Sequence, residues 1–240
     1  MQTRRVLLIG AGGLGCAAGL ALARSGLRLA LTIIDPDRVE ESNLHRQVLY
    51  GARDLGAPKA ERAAERLAEE AEGAIETRAI VGRFDPRSAL PLAGGHELVI
   101  EGTDRHEAKF LAADACALAR VPVVHAGIVR WSGWVLGVLP FESACLRCVF
   151  EDIPRDAAIP TCAGEGVIGP AVGVLGAIEA AIAVRLLEGG CQGGTIVRYD
   201  ALSGVARSSR VVRRVDCALC GDAPRIRALD EERYAPACPA

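Results

Sequence analysis

Aromatic side chains are scarce in this chain, at 4% of residues, and there is a single methionine. A core must therefore be filled by Leu, Val, Ile and Ala, which a 50% hydrophobic composition can supply. Neither sign of charge dominates: 28 basic and 30 acidic residues leave a net charge of −2, which gives no electrostatic reason to expect nucleic-acid binding. No apolar run reaches the ~18–20 residues of a membrane span. Residues 167–187 come closest, but Glu179 and Arg185 interrupt them. The start, Met1 to Arg5, leads straight into an apolar run and reads as lacking a signal peptide, so a cytoplasmic setting is expected. Repeats, low-complexity tracts and separable linkers are also missing. The four histidines, His45, His96, His106 and His125, show no ligand-like spacing. Cysteine is plentiful by contrast. Nine residues, two pairs of them C-x-x-C, favour metal and thiol chemistry in a reducing compartment over a disulfide framework.

The chain is organised around Gly10-Ala11-Gly12-Gly13-Leu14-Gly15. An apolar run, Val6 to Ile9, enters this turn, and a helical pattern leaves it. A second apolar run, Leu29 to Ile34, ends in Asp35. Strand, glycine turn, helix, strand and acid in that order make a nucleotide-binding βαβ unit. Gly10, Gly12, Gly13 and Gly15 would let the backbone approach a phosphate, with the first helical N–H groups facing the anion. Asp35 can accept from ribose hydroxyls, with Asp37 beside it. A glycine turn alone would also suit a nicotinamide-dependent oxidoreductase, or could merely pack helix on strand. A dinucleotide site, however, gives no account of Asn43, Arg46 and Lys59. Three donors, two of them cationic, suit the free β and γ groups of a triphosphate better than a buried pyrophosphate.

Two further groups carry chemistry. Asp104 closes the apolar run Leu98-Val99-Ile100, where ligands of open α/β sheets bind. Its carboxylate can hold Mg²⁺ together with phosphate oxygens, or it can cap the helix that follows. Cys145, Cys148, Cys217 and Cys220 form two C-x-x-C pairs, the donor set of a closed structural zinc site. Four unligated buried thiols are the alternative.

Alternating patterns place strands at 5–10, 29–35, 75–81, 97–101 and 121–125 and helices at 13–25, 58–71, 105–119 and 167–188. In the third helix Ala108, Leu111, Ala112, Ala115 and Leu118 share one face. Residues 127–139 and 195–213 read as antiparallel, and Trp131 and Trp134 fall on opposite faces if that stretch alternates. The expected fold is α/β: a Rossmann-like, mostly parallel sheet with helices on both faces, an antiparallel extension and a four-cysteine zinc site. One domain is expected, with a nucleotide-binding half (1–126), an antiparallel, crossover-loop and zinc half (127–222) and a tail (223–240).

The glycine turn, Asp35-x-Asp37, Ser42-Asn43-Leu44-His45-Arg46-Gln47, Pro58-Lys59 and Gly102-Thr103-Asp104, in that order, resemble the ThiF/MoeB/HesA proteins, bacterial relatives of ubiquitin-activating enzymes. The resemblance spans about Arg4 to Gly221. It implies ATP-dependent adenylation of the C-terminal carboxylate of a small ubiquitin-like or sulfur-carrier protein ending in Gly-Gly. Arg46, Lys59 and Mg²⁺-associated Asp104 would then be catalytic, and Cys162 would align with a cysteine that can take over the activated group. It also implies a homodimer and a possible sulfur donor. Cys16, Cys116 and Cys191 read as packed thiols and Cys238 as exposed. Family members usually carry an N-terminal helix whose arginine reaches the partner's triphosphate. Only nine residues precede Gly10 here, and Arg4 and Arg5 have little reach at ~3.3–3.6 Å per residue. Weak adenylation by the chain alone is the resulting expectation, unless a partner supplies the cation or the true start lies upstream. A catalytically weakened, carrier-binding family member is the other reading that follows.

Overall fold

Val6-Leu7-Leu8-Ile9 is apolar at every position, the mark of a strand buried on both faces, and it lies at the centre of the sheet as part of β1 (Arg4–Ile9). The computed structural model describes residues 2–154, 165–190 and 192–235. Its sheet has eight strands in the order β3-β2-β1-β4-β5-β6-β7-β8. β2 (Leu29–Asp35), β3 (Ile75–Val81), β4 (Leu98–Glu101) and β5 (Val123–Val129) run parallel to β1, and β6 (Ser132–Val138), β7 (Thr195–Asp200) and β8 (Val205–Arg210) continue as an antiparallel meander. β5 joins the two parts, because it pairs parallel with β4 and antiparallel with β6. It also runs longer than the patterned 121–125, so the sheet is continuous across residues 126 and 127. β8 is exposed along its length, with Arg207 and Arg210 on it, a charged edge of the kind that discourages sheet-to-sheet association.

Helices cover both faces. α1 (Gly13–Ala23), α2 (Lys59–Glu70) and α6 (Gly169–Leu187) share one core with Leu8, Ile33, Ile100 and Val135. On the other face, α3 (Pro86–Gly94) and α4 (His106–Ala119) pack with Leu7, Val99 and Leu136. α3 is absent from the patterned elements because Pro91 interrupts its short sequence. Its start signal is nonetheless complete: Pro86 stands in the first turn, and Asp85 caps the N–H groups of Arg87 and Ser88 at 3.0 and 2.9 Å. α4 is buried over a wider arc than one face, at every position from Lys109 to Ala117. The reason is a second layer outside it, formed by the short α5 (Leu146–Phe150) and the segment reaching Tyr234. Arg147 on α5 pairs with the buried Asp114 of α4 through two 2.8 Å contacts, and the Tyr234 hydroxyl donates to the same carboxylate at 2.6 Å. Trp131 does not alternate with Trp134. It stands exposed in the turn between β5 and β6, whereas Trp134 lies on β6 against the Phe150 ring at 4.9 Å.

α6 is long and apolar enough to cross a membrane by length and composition, yet its buried side packs on α1 and on β5 and β6. Glu179 on that side is fully buried, and neither carboxylate oxygen has a hydrogen-bond partner among the described residues. Burial, reinforced by Glu101, pushes its carboxyl well above the usual value. Below the ordinary glutamate range both folded and unfolded chains hold the proton. At higher pH the unfolded chain ionises while the folded one does not, so stability falls through this window. Glu179→Gln is therefore expected to be more stable than the parent at pH 8, with the difference closing toward pH 5. Denaturant melts at the two values test this, and a pH-independent difference would refute the buried neutral acid.

Candidate active site

The order of the parallel strands reverses direction between β1 and β4, and the glycine turn opens a cleft of about 820 Å³ at their carboxyl ends. Gly10 takes a φ of +89° there, a value L-residues with a Cβ rarely adopt. A Cβ on Gly15 would overlap the Gly10 carbonyl, so helix and turn close on each other only with glycine at that position. Gly12 and Gly13 line the cleft. The Gly12 N–H has no acceptor among the described residues, leaving it free for an anion.

Asp35 is buried beneath the turn rather than open to the cleft's centre. One oxygen accepts the Ala11 N–H at 2.7 Å and the other the Asp37 N–H at 2.8 Å. Burial raises its carboxyl despite these two bonds, which act the other way. Each oxygen keeps a lone pair, but the more accessible carboxylate is Asp37, whose side chain is 64% exposed. Lys59, the first residue of α2, is buried and reaches Asp37 with its Nζ at 3.2 Å. Asn43 ends a 3₁₀ turn (Glu41–Asn43), which brings it to Arg46 three residues on; the Arg46 guanidinium donates to the Asn43 side-chain oxygen. Asn43, Arg46, Lys59 and Asp37 all line the cleft. The structure thus brings together residues spread from Gly10 to Lys59 in the sequence.

Asp104 is exposed at the mouth of the cleft, and its carboxylate makes no hydrogen bond or ion pair among the described residues. It does not cap α4: the cap position is Arg105, without a side-chain bond. A single unpaired carboxylate at the mouth of the cleft is a donor of the kind Mg²⁺ takes alongside phosphate oxygens and water. The turn that carries Asp104 is fixed from below by Glu101, a residue that sequence pattern did not single out. Its buried carboxylate accepts the Thr103 N–H at 2.8 Å, two bonds from Lys109 at 3.2 and 3.0 Å, and lies 3.1 Å from His125 Nδ1. Burial raises the Glu101 carboxyl, but Lys109 and His125 outweigh it and hold it below its usual value. A glutamate ending an apolar strand run was the available signal. Arg83 also lines the cleft, and no sequence pattern marked it.

The four predicted metal ligands also converge. Cys145, Cys148, Cys217 and Cys220 are buried with all sulfurs within 4.8 Å, and the nearest pairs lie 3.3 to 3.8 Å apart. Four thiolates around zinc at a 2.3 Å bond length would stand about 3.8 Å apart, so the cluster fits that ion closely. The Arg214 N–H also approaches the Cys148 sulfur at 3.4 Å, which would compensate thiolate charge. Cys16 lies behind the glycine turn with its thiol pushed up to about 12 by burial, and Cys116 is likewise buried; both are packed thiols. Cys162, Cys191 and Cys238 lie outside the described residues. Arg4 and Arg5 stand at the opposite end of β1 from the turn, both pairing with Glu97. At ~3.3 Å per residue that is roughly 20 Å from Gly10.

A parallel sheet with a glycine turn, two clustered cations and an unpaired carboxylate at its switch point defines a nucleotide-binding α/β protein. This chain belongs to the ThiF family, whose model matches residues 1–219. It is 32% identical over 240 residues to the SAMP-activating enzyme E1 of Haloferax volcanii, covering 99% of this chain and 87% of that one. A sulfur carrier protein adenylyltransferase of Thermus thermophilus is 36% identical, with 95% and 86% covered. The adenylyltransferase and sulfurtransferase UBA4 of Yarrowia lipolytica is 36% identical as well, but the chain spans only 58% of its length. Among solved structures, E. coli MccB with ATP shares the fold, with a TM-score of 0.78 at 21% identity over 91% of this chain and 66% of that one.

Proposed function

We propose that this protein uses ATP to adenylate the C-terminal carboxylate of a small ubiquitin-like or sulfur-carrier protein ending in Gly-Gly. The carboxylate oxygen attacks the α-phosphorus, a C–O–P linkage forms, the bond to the β-phosphate breaks, and pyrophosphate leaves. The observation that carries this reading is the convergence of Arg46, Lys59, the free Gly12 N–H and the unpaired Asp104 carboxylate on one cleft. Chemistry of this kind rests on positioning and on neutralising charge on the transferring and leaving oxygens. Arg46 and Lys59 supply fixed positive charge, with Lys59 held in place by Asp37. Mg²⁺, when bound with ATP at Asp104, supplies further neutralisation. Asp35 and Asp37 are the residues proposed to hold the ribose, and Asp35 also fixes the turn through the Ala11 N–H. The acyl group then passes from the adenylate to a thiol or a sulfur donor, breaking its C–O bond and releasing AMP, and Cys162 is the residue proposed to receive it. A cytoplasmic homodimer is part of the same proposal, with zinc in a structural role.

ATP–pyrophosphate exchange tests the reading, run with candidate carriers ending in Gly-Gly. Carrier-dependent exchange is expected. A chain that binds ATP and a carrier without exchange would instead be a carrier-binding family member. Preference for NAD over ATP in a binding titration would return the site to the oxidoreductases.

A further inference from the structure

Tyr50 lies behind the cleft, and no motif points to it. The residue is buried, and its hydroxyl sits between two backbone carbonyls: Ala11 O at 2.8 Å and Lys59 O at 3.1 Å. The first belongs to the glycine turn and the second to the opening turn of α2, the two elements that present Gly12 and Lys59 to the cleft. The Cys16 thiol also donates to Ala11 O, at 3.3 Å. Ala11 is therefore held at both ends, since its N–H donates to Asp35 at 2.7 Å.

The consequence follows from peptide geometry. No cis bond occurs among the described residues, and across a trans peptide the carbonyl and the next N–H point in opposite directions. A hydroxyl that draws the Ala11 carbonyl back into the core turns the Gly12 N–H outward. That N–H has no acceptor among the described residues, and Gly12 lines the cleft. Burial pushes the Tyr50 phenol well above its usual value, with the neighbouring Cys16 adding to it, so the hydroxyl stays a donor at all working pH values.

We propose that Tyr50 is a positioning residue of the phosphate site: its hydroxyl aims the Gly12 N–H at the nucleotide's phosphates and ties the turn of Lys59 to the glycine turn. This rests on the reading of the cleft as an ATP site. A tyrosine that served only to fill the core would affect stability but would not distinguish ligands by their phosphates.

Calorimetric titration of Tyr50→Phe and the parent chain with adenosine, ADP and ATP separates the cases. Phenylalanine keeps the ring and removes one neutral hydrogen-bond donor, so ADP and ATP are expected to bind roughly five- to tenfold more weakly. Adenosine should bind as before. Full retention of the ATP preference in Tyr50→Phe overturns the proposal, and so does an equal loss for adenosine and ATP. A parent chain that binds ATP no better than adenosine refutes the ATP site itself, a separate failure. If Tyr50→Phe does not fold, Cys16→Ala removes the other donor to Ala11 O. A smaller loss of the same phosphate-dependent kind is expected from it, and unchanged preference there overturns the proposal.

Discussion

Replacing Asp104 with alanine is expected to lower pyrophosphate exchange by about 10²–10³-fold, the scale on which single groups that stabilise transition-state charge act. The melting temperature should barely move. Asp104 is exposed, caps no helix and pairs with no cation among the described residues, and surface substitutions of that kind usually stay within ~0.5 kcal/mol. On the proposed reading its charge would act only once Mg²⁺ and a triphosphate are present. Glu101, by contrast, holds the same turn from a fully buried position, so its removal would confound folding with chemistry. Exchange assays and thermal melts on one Asp104→Ala preparation decide the matter. A variant that unfolds, or one that exchanges normally, removes Asp104 from the reaction.

Loss of the cysteine cluster should have the largest effect on stability. Purified protein is expected to hold about one zinc per chain, and Cys148→Ser or Cys217→Ser should lose the metal and on the order of 4 kcal/mol or more of stability. The four sulfurs join α5 to the segment after β8. α5 also carries Arg147, whose guanidinium is clamped on Asp114 and stacked 4.9 Å from the Phe110 ring. Breaking such a buried pair by moving one partner is costly, at ~3–5 kcal/mol, so the damage should spread from the cluster into α4. Metal analysis with parallel denaturation tests this. Chain stripped of metal that melts like the parent would leave the cluster without a structural role.

Much of this architecture can be read from residues in order. The parallel strands other than β3 show as apolar runs, the α2 face as Ala60, Ala63, Ala64 and Leu67, and the cysteine cluster as two spaced pairs, because each depends on local periodicity or spacing. What escaped depends on what packs across the chain. β5 extends to Val129 because β6 returns alongside it. α4 is buried on its outer side only because α5 and Tyr234 cover it. In the cleft, cationic and acidic residues were visible as types, but Asp35's use of both oxygens on backbone N–H groups belongs to geometry alone. Tyr50 and Glu101 act through neighbours 39 and 24 residues away or through a local turn, and no spacing rule marks them.

The metal cluster also bears on the order of folding. Its halves stand 72 residues apart along the chain, separated by α6, β7 and β8. Closing a loop of that length costs entropy before any contact repays it, and all four sulfurs meet only once the meander is in place. Zinc held at this cluster would thus be a late fastener, absent from the folding nucleus. Interactions made after the transition state slow unfolding and leave the folding rate nearly untouched. Stripping the metal should steepen the loss of native chain over time while refolding starts as quickly as before. Stopped-flow refolding and unfolding with and without zinc would show it, and a folding rate that tracks metal concentration would place the cluster in the nucleus instead.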